Sequence, residues 1–246
     1  MDKIAVIEAR LYAGRLPGKV LMPLAGTTMI ERIIDKVKCS NLLDDIVLAT
    51  TSNSEDDLIE YIGKQCGVRV HRGSSNNVME RVLGASNHNK NSILVQVTGD
   101  NPFIEPQIID DVISKFKGYD LDYVCNDMPR NVPLGCEVRA YKRSIIEKID
   151  QDKIDQSHLS NITSIFYEYK KRYKICNINT RKIHQGKNLR LTVDEPQDYI
   201  LADIIYKEMC KEDKSFNLEK VINFLNKNKN LMKINLNVRQ KDLSEG

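Results

Sequence analysis

Apolar residues in the first half of the chain fall into short unbroken runs separated by stretches with helical spacing. Residues 4–7, 46–49, 93–97 and 121–124 read as strands, and 68–71 as a shorter extended piece. Between them, residues 28–38 place Met29, Ile30, Ile33, Ile34 and Val37 on one helical face. Residues 55–66 form a second predicted helix, with Leu58, Ile59 and Ile62 inward and Gly67 closing it. Residues 77–87 form a third, interrupted by Gly84, and residues 106–116 a fourth, with Ile108, Ile109, Val112, Ile113 and Phe116 inward. Apolar strands alternating with amphipathic helices predict an α/β fold, a mostly parallel sheet covered by helices on both faces. Right-handed crossovers then put the strand carboxyl ends on one edge, where ligands bind in such sheets. The loops after Ile7, Ala49 and Val97 all fall there, so the turn at 9–19, Thr50-Thr51 and Asp100 can share one crevice.

The pattern changes after Cys125. Residues 126–133 form a loop with two prolines, and 136–140 alternate like an antiparallel strand. Helices are predicted over 142–149 and 157–171, strands over 173–177 and 189–193, and further helices from Pro196 and over 217–228. Residues 240–246 read as a frayed end. With no repeat or low-complexity linker, the expectation is a single domain over 1–246. Residues 1–125 would be its nucleotide half, 126–210 a small mixed subregion for the acceptor and dimer contacts, and 235–246 a tail.

Composition narrows the class. Hydrophobic residues at 41% and charged residues at 29% are compatible with a soluble core. No apolar run approaches the roughly 20 residues of a membrane helix. The opening Met1-Asp2-Lys3-Ile4 lacks a signal-peptide pattern, so a cytoplasmic location is expected. The six cysteines are scattered without close pairs, which argues for reduced thiols. Lys+Arg and Asp+Glu nearly balance at 37 and 34, and no basic stripe is interleaved with aromatics, so nucleic acid is not indicated.

Three constellations carry candidate chemistry. Arg10, Arg15 and Lys19 lie with Gly14 and Gly18 in the loop after the first strand, which suits a polyphosphate: close backbone approach and countercharge together. On an ordinary loop the same cations would simply be solvated. The P-loop pattern G-x-x-x-x-G-K-[ST] is absent. Asp100, at the end of the strand over 93–97, is placed for a metal, which needs one or two carboxylates beside substrate phosphates; the plainer reading is a turn aspartate. Asp194, before Glu195-Pro196, is equally readable as a metal ligand or a helix cap.

These residues sit in segments that resemble a known family. Ala9-Arg10 through Arg15-Leu16-Pro17-Gly18-Lys19, with Pro23-Leu24, Gly26 and Met29-Ile30-Glu31, looks like the opening of the cytidylyltransferases. It is most similar to the spore-coat polysaccharide biosynthesis group, relatives of the CMP-Kdo and CMP-acylneuraminate synthetases. The resemblance continues through Asp45–Thr51, Glu55-Asp56-Asp57, Arg72-Gly73-Ser74 with Val78 and Arg81, Thr98-Gly99-Asp100-Asn101-Pro102-Phe103-Ile104 and Arg190-Leu191-Thr192-Val193-Asp194-Glu195-Pro196-Gln197-Asp198. It covers roughly residues 3–205.

The resemblance implies a nucleotide-diphospho-sugar transferase (GT-A-like) fold and a Mg²⁺-dependent enzyme that transfers CMP from CTP to an anionic sugar or sugar-like acceptor. Arg10, Arg15, Lys19 and Asp100 match catalytic positions, with Ala9 and Gly14 in the same phosphate loop. Thr50, Asn77, Arg81 and Thr98 fall on the nucleotide side, and Asp100 and Asp194 match the metal carboxylates. Gly135 and Glu137 lie in a P-x-G-x-(acidic)-V-like segment, His158 in an E-H-V-T-like one, and Arg190 in the last motif; these four would serve the acceptor. A homodimer through 126–190 is implied, with no membrane or nucleic-acid partner. Departures are Ala13 and Gly14 where hydroxyls are common, Glu8 where Gln or Pro is common, and Ser157 where Glu precedes the His. Tyr167, Tyr169 and Tyr173 read as packing or interface residues. Rival readings are a phosphorylated or phosphonate acceptor, a GT-A glycosyltransferase, and a non-catalytic nucleotide-binding subunit.

Overall fold

A computed structural model describes residues 1–86, 91–149, 154–212 and 215–240. The strands, in chain order, are β1 (Lys3–Glu8), β2 (Pro23–Leu24), β3 (Thr27–Thr28), β4 (Asp45–Thr51), β5 (Arg69–Gly73), β6 (Ile93–Thr98), β7 (Tyr123–Cys125), β8 (Arg139–Lys142) and β9 (Ile175–Asn177). Seven of them form one sheet in the order β5-β4-β1-β6-β8-β7-β9, while β2 and β3 pair as a small hairpin. β5, β4, β1 and β6 run parallel; β8 is antiparallel to both β6 and β7, and β7 is parallel to β9.

The sheet is covered on both faces, as its apolar runs require. On β1, Ala5 and Ile7 join the cluster that includes Met29, Ile30, Ile33, Ile34 and Val37 of α1 (Met29–Lys38). Ile4 and Val6 face the other way, toward Val78, Met79 and Val82. Strand alternation therefore assigns each side chain to a layer. The first layer holds α1, α2 (Asp57–Gln65), α4 (Pro106–Ser114), α8 (Pro196–Glu212) and α9 (Leu218–Lys227). The second holds α3 (Val78–Ala85), α5 (Arg143–Glu147), α6 (Gln156–Ser160) and α7 (Ser164–Glu168). Local signals start the helices where expected. Thr28 caps α1 in a reciprocal box with Glu31, and Pro106 opens α4.

The second half differs from its sequence pattern in three places. The helix expected over 157–171 is broken into α6 and α7, followed by a tight turn at Lys170–Arg172. Ser160 Oγ bonds the Ser157 carbonyl at 2.9 Å and Ser164 Oγ bonds that of Asn161 at 2.5 Å, so side chains compete with the helical ladder. The strand expected over 136–140 starts only at Arg139, because the Val138 N–H is taken by Asn126 Oδ1 at 2.9 Å and the Cys136 N–H by the Pro133 carbonyl at 3.0 Å. The strand expected over 189–193 makes only a single bridge, Leu134 to Arg190. The helix expected over 77–87 ends at Ala85, and position 87 lies outside the described residues. All six cysteines are free thiols, and among the described residues no helix is long and apolar enough to cross a membrane.

Candidate active site

Three segments meet at the carboxyl edge of β1 and β6. The loop after β1 ends in a short turn, Lys19–Leu21, which carries Lys19 inward. The loop after β6 crosses the end of β1 closely: the Gly99 N–H bonds the Glu8 carbonyl at 2.8 Å, and a Cβ on Gly99 would lie 2.8 Å from that same oxygen. Only glycine allows this crossing, which turns Asp100 toward Lys19. The third segment approaches through Gly135, whose φ is +95° and whose Cβ, if present, would lie 2.5 Å from the Thr192 nitrogen. That contact seats 191–193 against Leu134, and the Val193 N–H then bonds the Asp100 carbonyl at 2.8 Å. Asp194 is thereby delivered beside Asp100.

Lys19 is the centre of this arrangement. Its Nζ donates to Asp100 Oδ2 at 3.0 Å, Asp194 Oδ1 at 3.1 Å and the Val193 carbonyl at 2.7 Å. Burial pushes the ammonium pKa down, but Asp100 and Asp194 outweigh it and the net shift is upward. Burial likewise raises Asp100, and Lys19 with the 2.6 Å bond from Thr98 Oγ1 brings it below its usual value. Arg15 Nη2 lies 3.1 Å from Asp194 Oδ1, and Arg15 Nη1 donates to the Arg239 carbonyl at 3.3 Å. Arg10 donates to the Ser75 carbonyl at 2.9 Å.

Ala9, Arg10, Gly14, Arg15, Lys19, Arg81, Thr98, Asp100 and Asp194 all line one 350 Å³ cavity. It shares Glu8, Arg10, Arg15, Thr98, Asp100, Ser160 and Asp194 with a second cavity of 560 Å³, whose further walls include Gln96, Glu137 and Arg139. Glu8, the unexplained carboxylate of the sequence, sits at the junction. It takes a 2.8 Å bond from Gln96 Nε2, and burial raises its pKa to about 7 against the pull of Arg81. A carboxyl that holds its proton to near neutrality repels a polyphosphate less than an ionised one.

Five expected site residues, Thr50, Asn77, Gly135, His158 and Arg190, are not in these walls. Thr50 is fully buried within β4. Asn77 caps α3 by accepting the Glu80 N–H at 2.8 Å, while its neighbours Ser75 and Asn76 line the larger cavity. His158 is buried with Nδ1 2.5 Å from Ser164 Oγ and Nε2 3.0 Å from Glu168 Oε2, so it supports the 161–163 turn that lines the cavity instead of facing it. Arg190 is turned to Asp194 and Asp198, at 2.9 Å each. Gly135 shapes the backbone, as described, and Glu137 does reach the cavity; its Oε2 accepts the Gly135 N–H at 2.7 Å.

Gln96 and Arg139 line the larger cavity without belonging to any of the sequence motifs. Gln96 carried a signal, a polar residue inside the buried run 93–97. Arg139 Nε donates to Asp127 Oδ2 at 2.7 Å, and the Tyr167 hydroxyl bonds the same oxygen, so Tyr167 is a polar support and not packing alone. These partners are distant in sequence, and only the antiparallel register of β8 brings them together.

Among the described residues there is no group of three or more His, Cys, Asp or Glu side chains poised for a metal. Asp100 and Asp194 nevertheless converge on one cation, the Lys19 ammonium, with hard oxygen donors. That donor set suits Mg²⁺, which takes few protein carboxylates and completes its shell from phosphates and water.

A cationic loop facing paired carboxylates at the carboxyl edge of such a sheet fits a nucleotidyltransferase. The family model described as Cytidylyltransferase matches residues 4–234, and the chain belongs to that family of CTP-dependent enzymes. The uncharacterized protein MJ1063 of Methanocaldococcus jannaschii is 31% identical over all of this chain and 99% of its own length. The spore coat polysaccharide biosynthesis protein SpsF of Bacillus subtilis is 27% identical over 92% of this chain and 95% of its own. A cytidylyltransferase structure from Leptospira borgpetersenii, 26% identical, superposes with a TM-score of 0.85 over 98% of this chain and 100% of its own.

Proposed function

We propose that this chain transfers CMP from CTP to a hydroxyl of an anionic sugar or sugar-like acceptor and releases pyrophosphate, with Mg²⁺ held by Asp100 and Asp194. The observation that carries the reading is Lys19 bridging those two carboxylates where the two cavities join. The smaller cavity suits the nucleotide and the larger one the acceptor. The similarity to a protein named for spore-coat polysaccharide synthesis supports a product destined for a surface polysaccharide or glycoconjugate. The chain works as a single domain and pairs as a homodimer through 126–190.

In the reaction, the acceptor oxygen bonds the α-phosphorus as the bond to the pyrophosphate oxygen breaks, and the hydroxyl proton passes to solvent. Mg²⁺, when bound, supplies charge neutralisation for the triphosphate. Arg10, Arg15 and Lys19 bind the phosphates and counter the charge growing on pyrophosphate. Arg81 and Thr98 face the nucleoside side. Glu137, Arg139 and the 161–163 turn orient the acceptor, so catalysis is mainly positioning.

The test is pyrophosphate release from CTP with and without Mg²⁺, across a panel of sugar acids, neutral sugars, and phosphorylated and phosphonate acceptors. Mg²⁺-dependent release with a sugar acid is expected. Release only with phosphorylated or phosphonate compounds would replace the acceptor class, and release that ignores Mg²⁺ would remove the metal.

A further inference from the structure

Residues 235–240, expected from the sequence to belong to a tail, are fastened to the site. Asn235 is 5% exposed, and its Nδ2 donates to Asp198 Oδ1 at 2.8 Å and to the Arg190 carbonyl at 3.1 Å. The other oxygen of Asp198 accepts the backbone N–H groups of Asp194 and Glu195, at 3.1 Å each. Gln240 Oε1 accepts Arg190 Nη1 at 2.7 Å, and Arg190 Nη2 reaches Asp194 Oδ2 at 2.9 Å. The Arg239 carbonyl holds Arg15, which itself lies 3.1 Å from Asp194 Oδ1.

Three separate routes from this segment therefore end on Asp194. One fixes its backbone through Asp198, one fixes its second oxygen through Arg190, and one fixes the guanidinium on its first oxygen. A core-packing tail would need none of these polar contacts; Leu231, Met232 and Ile234 already supply the apolar anchor just upstream. Gln240 also lines the larger cavity.

We propose that Asn235 and Gln240 are positioning residues that hold Asp194 in its metal-binding orientation, so that this segment is a working part of the active site. This rests on the metal–nucleotide reading of Asp194. Both contacts are to charged groups, which makes them stronger than neutral hydrogen bonds and directional.

The test uses the full-length protein and measures Mn²⁺ affinity by electron paramagnetic resonance in the presence of saturating CTP, beside the melting temperature. Asn235→Ala and Gln240→Ala are expected to weaken Mn²⁺ binding by about three- to tenfold; Gln240→Ala should leave melting nearly unchanged, while Asn235→Ala, at a buried side chain, should lower it. Gln240→Glu, which keeps an acceptor for Arg190, is expected to stay close to wild type. Wild-type affinity in Gln240→Ala, or Gln240→Glu binding as weakly as Gln240→Ala, would overturn the proposal. Gln240→Ala decides alone if Asn235→Ala does not fold. A wild-type protein that binds CTP but gains no Mn²⁺ site would overturn the metal reading, and this inference with it.

Discussion

Lys19 and Glu8 show how burial and partners set charge in this site. The Lys19 ammonium is saturated by two carboxylates and a carbonyl, and it stays charged because those partners outweigh its desolvation. Lys19→Met leaves two facing carboxylates and removes the ammonium proposed to bind phosphate; pyrophosphate release is expected to fall by about 10²–10³-fold, measured at saturating CTP. Glu8 works the other way. Its carboxyl keeps a proton to about pH 7 when folded, against an ordinary value of 4.5. The folded chain holds the extra proton in that window, so the associated stability is complete below pH 4.5 and is lost as pH rises through 7. Glu8→Gln removes this slope. The variant should melt roughly 7–14 °C above wild type at pH 8, with the gap closing near pH 5; calorimetric melting at the two pH values checks it. Arg10, Arg15, Lys19 and Asp100 stood out in the sequence as charge near glycine after an apolar run, while Asp194, equally readable as a helix cap, stood out only through the resemblance of its motif. The sequence did not expose Arg139 or Asp127, whose meaning depends on each other.

At the scale of elements, the parallel half was legible and the second half less so. Runs of apolar residues between amphipathic helices leave few alternatives, and β1, β4, β6, α1 and α4 fall close to where periodicity puts them. Beyond Cys125, side chains compete with backbone ladders. Asn126 takes the N–H of Val138, and Ser160 and Ser164 break one expected helix into α6 and α7. These bonds join residues whose local pattern alone favours the regular element. The same region relies on Gly135, where positive φ and close contact with Thr192 coincide. Gly135→Ala should destabilise the fold by about 2 kcal/mol or more, read from urea unfolding. It should also lower turnover by displacing 192–194.

The described residues form a sheet whose two layers are separately packed and whose carboxyl edge is closed by the segments around Lys19, Asp100, Asp194 and 235–240. Asp100 and Asp194 are brought together by that topology, with Asn235 and Gln240 behind the second. The proposed homodimer predicts a light-scattering mass of twice the 28.2 kDa chain; a monomer at micromolar concentration would exclude that pairing. In the proposed mechanism Asp100 and Asp194 hold Mg²⁺ with CTP while Lys19 binds the phosphates. The most direct test of that mechanism is a Mn²⁺ titration, followed by electron paramagnetic resonance, of wild type and Asp100→Asn with and without CTP. Weak binding to the free protein, where Lys19 occupies the carboxylates, about tenfold tighter binding with CTP, and loss of that gain in Asp100→Asn are expected. Binding that is equally tight without CTP, or that persists in Asp100→Asn, would contradict it.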